Sequence, residues 1–108
     1  MDDQRGYVYV VEDEYGRIKI GKTRHPEKRF SDIQCAAGLE ITYRWVSEPM
    51  ERYSNIEAVA LKHFEIYRTK GEWFEGIEYF EAVELIETLT NLYRELYEEN
   101  VTTNLREF

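Results

Sequence analysis

A single cysteine, Cys35, is all the thiol the 108 residues contain. An intrachain disulfide framework and a Cys-rich zinc site are therefore excluded. With no evident base beside it, a lone thiol is expected to act as a small buried hydrophobe rather than a nucleophile. Two prolines and six glycines leave no stretch that reads as a flexible linker, so one domain is expected. No apolar run approaches the roughly 20 residues of a membrane helix. Met1–Arg5 is polar and acidic, unlike a signal peptide, so the expected location is cytoplasmic. Bases are also scarce: 14 Lys and Arg stand against 22 Asp and Glu, a net charge of −8. Taken whole, that balance opposes a nucleic-acid partner, because phosphate contacts need Lys and Arg.

What is present argues for a packed core, since a chain that is 43% hydrophobic and 15% aromatic does not stay disordered. Residues 7–12, Tyr-Val-Tyr-Val-Val-Glu, read as a strand. Asp13-Glu14-Tyr15-Gly16 supplies a turn, and 17–22, Arg-Ile-Lys-Ile-Gly-Lys, read as a second strand closing a hairpin. Alternation puts Val8, Val10, Ile18 and Ile20 toward the core. Tyr7, Tyr9, Lys19 and Gly21 take the other face, where Tyr9 and Lys19 meet if the register pairs them.

Pro26 opens a helix to about Ala37, with Thr23 or His25 near its cap and Gly38 after it. Phe30, Ile33 and Ala37 form its apolar stripe, with Arg29 at the edge. A third strand spans 40–47 and ends before Pro49. Ser54 or Asn55 caps a second helix running to about Arg68, with Ile56, Ala60, Leu61 and Phe64 inward. Glu57 falls on that same stripe, out of place for a plain core helix. Residues 71–74 read as a short connection. A long helix covers about 78–98, with a stripe of Tyr79, Val83, Ile86, Leu89, Tyr93 and Leu96 and an acidic face of Glu78, Glu81, Glu84 and Glu87. The predicted fold class is α+β, a three-stranded antiparallel sheet flanked by helices in the order β-β-α-β-α-α. Residues 1–5 and 99–108 read as polar tails around a domain at 6–98.

The acidity is uneven. Residues 78–108 hold eight acids and two bases, whereas residues 15–31 hold six bases (Arg17, Lys19, Lys22, Arg24, Lys28 and Arg29) and one acid, Glu27. A local patch, and not the overall charge, is what meets a phosphate.

The ordered set Gly6-Tyr7-Val8-Tyr9-Val10-Val11, Ile18-Lys19-Ile20-Gly21-Lys22-Thr23, Pro26, Arg29 and Arg68-Thr69-Lys70-Gly71-Glu72-Trp73-Phe74 resembles the GIY-YIG nuclease superfamily. It is most similar to the branch with T5orf172 and Mug113-type domains, where Lys-Ile-Gly stands for Tyr-Ile-Gly. The likeness spans residues 6 to about 88. It implies a GIY-YIG-like endonuclease that hydrolyses DNA phosphodiester bonds with a single divalent metal ion, Mg²⁺ or Mn²⁺. From spacing alone, Glu57 reads as a surface carboxylate at a stripe edge, Arg29 as an exposed helix residue and Tyr9 as a half-buried sheet aromatic. The resemblance instead implies Glu57 as metal ligand, Arg29 as phosphate clamp, and Tyr9 as the group that positions or deprotonates the attacking water. Lys19 then either supplies the cation a phenol needs to act as a base or binds phosphate. Arg17, Lys22, Arg24 and Lys28 are the expected nucleic-acid-binding cations, and Glu72 is a weaker site candidate. Small enzymes of this kind resemble those of phages and mobile elements.

The chain also departs from the pattern. Leu61 stands where many members of the branch carry a His one turn after the metal-ligand Glu. His63 is six residues from Glu57 and so about 120° away on an ideal helix. No late Asn matches. The alternative reading is a catalytically weak or inactive module of the same fold. It would bind nucleic acid or a protein partner through the acidic C-terminal helix, a second copy of the chain included. A weaker third reading has that helix mimic DNA.

Overall fold

Residues 4–98 are described by the computed structural model, and the tail expected at 99–108 lies outside them. The strands are β1 (Tyr7–Asp13), β2 (Ile18–Thr23), β3 (Ile41–Val46), β4 (Arg68–Lys70) and β5 (Trp73–Phe74). The helices are α1 (Pro26–Ala37), α2 (Tyr53–His63) and α3 (Tyr79–Tyr93). A single 3-10 turn, Glu65–Tyr67, follows α2, and α3 runs on into a wider π-type turn, Arg94–Glu98. The antiparallel sheet has the order β3-β1-β2-β5-β4. Among the described residues it therefore has five strands where the sequence predicts three, and the chain order is β-β-α-β-α-β-β-α.

The two extra strands escape sequence reading for a physical reason. β4 has three residues, all exposed, and β5 has two, so neither offers a stretch of alternation. The predicted continuation of α2 to Arg68 fails for the same region. The helix stops at His63, and β4 begins where it was expected to end.

β1 is central and buried on both faces. Val8, Val10, Ile18 and Ile20 pack with Ile56, Ala60, Phe64 and Ile86, so α2 and α3 cover one face as the alternation predicts. On the other face Tyr9 and Val11 pack with Phe30 and Ile33 of α1. Tyr9 is thus wholly buried rather than half-buried, because alternation cannot see the helix that covers its face.

Local hydrogen bonds fix the frame. Asp13 Oδ1 accepts from the backbone N–H groups of Tyr15 (2.9 Å) and Arg17 (2.8 Å), and its Oδ2 takes Arg17 Nε at 2.7 Å, which ties the hairpin turn. Gly38 ends α1 in the left-handed conformation (φ 63°, ψ 28°), as its type and position predict. His25 is the N-cap of α1 as expected, though its side chain makes no cap bond, whereas Arg52, not Ser54 or Asn55, is the N-cap of α2. Ser54 Oγ accepts from Lys22 Nζ instead, at 3.2 Å.

Two further expectations are corrected. Cys35 is exposed, not a buried hydrophobe. Leu96 is half-exposed, since the helix has changed pitch before it, and the stripe of α3 ends at Tyr93. Ala37 is not among the described side chains. The acidic residues Glu78, Glu81, Glu84 and Glu87 are exposed as expected. Among the described residues no helix is long and apolar enough to cross a membrane.

Candidate active site

The β1–β2 register sets Tyr9 opposite Gly21 and Val11 opposite Lys19, so Tyr9 and Lys19 are diagonal neighbours on one face, not a direct pair. The Tyr9 ring lies across Gly21, where any Cβ would overlap the phenol. Phe30 meets the ring edge-on at 5.5 Å. Arg29, one residue earlier on α1, donates Nε–H to the Tyr9 hydroxyl at 3.1 Å. Burial pushes the Tyr9 phenol above its ordinary pKa, and the bond from Arg29 opposes this without overcoming it. Tyr9 is therefore a neutral phenol with a proton to donate. The cation that acts on it is Arg29, not Lys19 as the sequence suggests. The bond to Tyr9 in turn raises the pKa of Arg29.

Lys19 is nearly buried, and that burial lowers its pKa against the pull of Glu72. Its Nζ sits 3.6 Å from Glu72 Oε1 and 5.3 Å from the centre of the Trp73 ring. Arg17 approaches the same ring at 5.3 Å while bound to Asp13. Trp73 and Lys19 line a cavity of about 210 Å³ with Arg29, Asp32 and Ile33. They also line an adjoining groove with Arg17, Lys70 and Glu72.

Glu57 reaches this cluster from α2. It is 5% exposed, so the stripe-edge surface reading is excluded. Lys22 Nζ lies 3.9 Å from its Oε1, and its Oε2 is buried with no hydrogen-bond partner among the described residues. Its pKa is raised to about 7. Burial is the main cause and the charge of Glu72 the next, opposed by Lys22 and Lys19.

Tyr9, Lys19, Arg29 and Glu57 thus converge, with Lys22 and Arg17 at the rim. Arg24 and Lys28 are exposed, Lys28 beside Asp32 on its own helix at 3.3 Å. His63 is exposed and lies edge-on to Phe64. Leu61 packs against the apolar core. Glu72 and Trp73 matter more than their sequence context shows. Their one signal is an acid directly before Trp-Phe, and only the pairing of β5 with β2 carries them to Lys19.

Among the described residues no three His, Cys, Asp or Glu side chains gather into a metal cluster. Glu57 and Glu72 are near enough for the charge of one to act on the other, and Glu57 Oε2 is an unfilled oxygen donor. Oxygen donors with no His or Cys suit a hard cation such as Mg²⁺ or Mn²⁺.

Comparison with family models matches residues 6–90 to the T5orf172 domain, a family associated with GIY-YIG-like nucleases. No curated protein and no solved structure matches the chain.

Proposed function

The chain belongs to the T5orf172 domain family, and from that premise we propose that it is an endonuclease that hydrolyses DNA phosphodiester bonds with one divalent metal ion. The observation that carries this reading is Glu57, a buried carboxylate with Lys22 Nζ 3.9 Å from one oxygen and the other oxygen without a partner among the described residues. A carboxylate in that state costs stability unless a cation completes it. Placed by chance on a core helix, it would be replaced by an apolar residue at no loss.

The side chains divide the work. Glu57 would hold the cation. Bound there, Mg²⁺ or Mn²⁺ supplies positive charge to the phosphate oxygens and to the leaving oxygen. Arg29 commits Nε to Tyr9 and keeps its two Nη nitrogens for a phosphate, a fork that matches two oxygens at once. Tyr9, wholly buried and held neutral over Gly21, accepts from Arg29 Nε and so fixes the guanidinium, rather than acting as a phenolate base. Lys19 sets a further positive charge on the groove wall beside Trp73.

The test is incubation of the purified chain with supercoiled, linear and single-stranded DNA in Mg²⁺ or Mn²⁺, beside Glu57→Ala. Metal-dependent cutting that disappears in the variant is expected. Absence of cutting on every form overturns the reading, and cutting that survives in the variant overturns the site.

One observation favours the second reading. Leu61 fills core space where the resemblance expects a His, so one polar group of the branch is absent. A module that grips DNA, a protein or a second copy of the chain without cutting would capture its partner in metal-free buffer. It would also be indifferent to Glu57→Ala.

A further inference from the structure

We propose that Glu72 is the second carboxylate of the cation site, and that Lys19 holds its place until the cation arrives. The inference rests on the nuclease reading and deepens it. Its grounds are geometric. β5 pairs with β2 so that Trp73 stands opposite Lys19, and this brings the preceding Glu72 onto the site from the strand side, while Glu57 comes from α2. Two elements far apart in sequence thus present a carboxylate each.

The two acids are not neutralised by good ion pairs. Lys19 Nζ is 3.6 Å from Glu72 and Lys22 Nζ is 3.9 Å from Glu57. A charge-assisted hydrogen bond spans about 2.7–2.9 Å, so both contacts fall short of one. Glu57 is more than nine-tenths buried and its Oε2 has no hydrogen-bond partner among the described residues. The arrangement fits a pair of acids waiting for a small divalent cation, which takes one or two carboxylates and leaves the rest of its shell to water and phosphate oxygens.

The exchange gives Lys19 a second task. Once Glu72 turns to the cation, the ammonium loses its carboxylate and stays over Trp73, in the cavity it shares with Arg29. A phosphate entering that cavity meets two cations instead of an ion pair. Cation and phosphate are then bound cooperatively, each favouring the arrangement that the other needs.

Calorimetric titration of Mn²⁺ into the full chain tests this without reference to cleavage. Glu72→Gln is expected to weaken Mn²⁺ binding by roughly tenfold or more, with an unchanged circular-dichroism spectrum, and Glu75→Gln to leave it as it is. Lys19→Met separates a ligand from a mere support. If Glu72 binds the cation, removing its rival cation tightens or preserves Mn²⁺ binding. If Glu72 only props up Lys19, the two variants weaken it alike and the proposal fails. Wild-type affinity in Glu72→Gln together with loss in Glu57→Ala overturns the role of Glu72 and leaves the nuclease reading standing. No Mn²⁺ binding by the wild-type chain overturns both.

Discussion

Tyr9 lies flat over Gly21 of the neighbouring strand, and the absence of a side chain at residue 21 is what lets its hydroxyl reach Arg29. The Lys-Ile-Gly segment therefore contributes its glycine as a floor for the phenol as well as its lysine to the groove. Gly21→Ala is expected to displace the ring and to destabilise the fold by about 1–3 kcal/mol, the usual cost of overpacking. Tyr9→Phe removes one of the atoms that an added Cβ would meet. The double variant should therefore lose less than the sum of the two singles in denaturant titrations. Additive losses would show that the two residues are not in the contact described.

Arg29 has a double task that lysine cannot share. Its Nε is bound to Tyr9 while its Nη groups remain for a phosphate, whereas an ammonium offers one point charge. Arg29→Lys should keep the fold, since the residue is only partly buried, yet cut the cleavage rate by about 100-fold or more, near the effect of removing one transition-state donor. DNA affinity, read by fluorescence anisotropy in the absence of metal, should fall much less than the rate. Equal losses in binding and rate would reduce Arg29 to a general phosphate contact.

Glu57 ties stability to pH with a definite sign. Its pKa is about 7 in the folded chain and near 4.5 unfolded, so the folded state keeps a proton that the unfolded state releases. The stability linked to that proton is full below about pH 4.5, is lost as pH rises to 7, and changes little above. Glu57→Gln keeps the shape and removes the charge. It should raise Tm by several degrees at pH 8, consistent with about 1–2 kcal/mol once solvent screening is allowed for, and barely move it at pH 5. Thermal melts at the two pH values check this. An equal shift at both would mean that the carboxylate is not the source. Because a cation must displace the same proton, Mn²⁺ affinity should also increase from pH 5.5 to 7.5.

The hairpin, both early helix positions and the Val8, Val10, Ile18, Ile20 face were legible in the sequence because each rests on local periodicity or turn chemistry. Glu57 was legible as a misfit, a charge in an apolar stripe, but its meaning came only from the partners it meets across the fold. β4 and β5 left no trace, since strands of three and two residues are held by pairing and not by their own pattern. Glu72 was legible only as a weaker candidate, because the pairing of β5 with β2 that carries it to Lys19 was not. The Tyr9–Lys19 pair expected on one face became Tyr9–Arg29, because alternation gives the face of a side chain but not the register between strands.

The last prediction concerns which charges a phosphate backbone feels. The net charge of −8 says little, since α3, which carries the exposed acids, packs with α2 on one side of the sheet, while α1, which carries Lys28 and Arg29, lies on the other. Lys28 is three-quarters exposed and, among the described residues, paired with Asp32 one turn on. Lys28→Ala should weaken binding to all DNA sequences alike and lower the slope of log affinity against log salt by about 0.9, one phosphate contact on duplex DNA. Reversing charge on α3 with Glu84→Lys and Glu87→Lys changes the net charge by more than Lys28→Ala does, in the direction that favours DNA. At 0.15 M salt, where screening acts over about 8 Å, it should nonetheless leave that slope where it was. If the α3 variant steepens the slope and Lys28→Ala does not, the DNA lies on the helical face and not over the Tyr9–Arg29 groove.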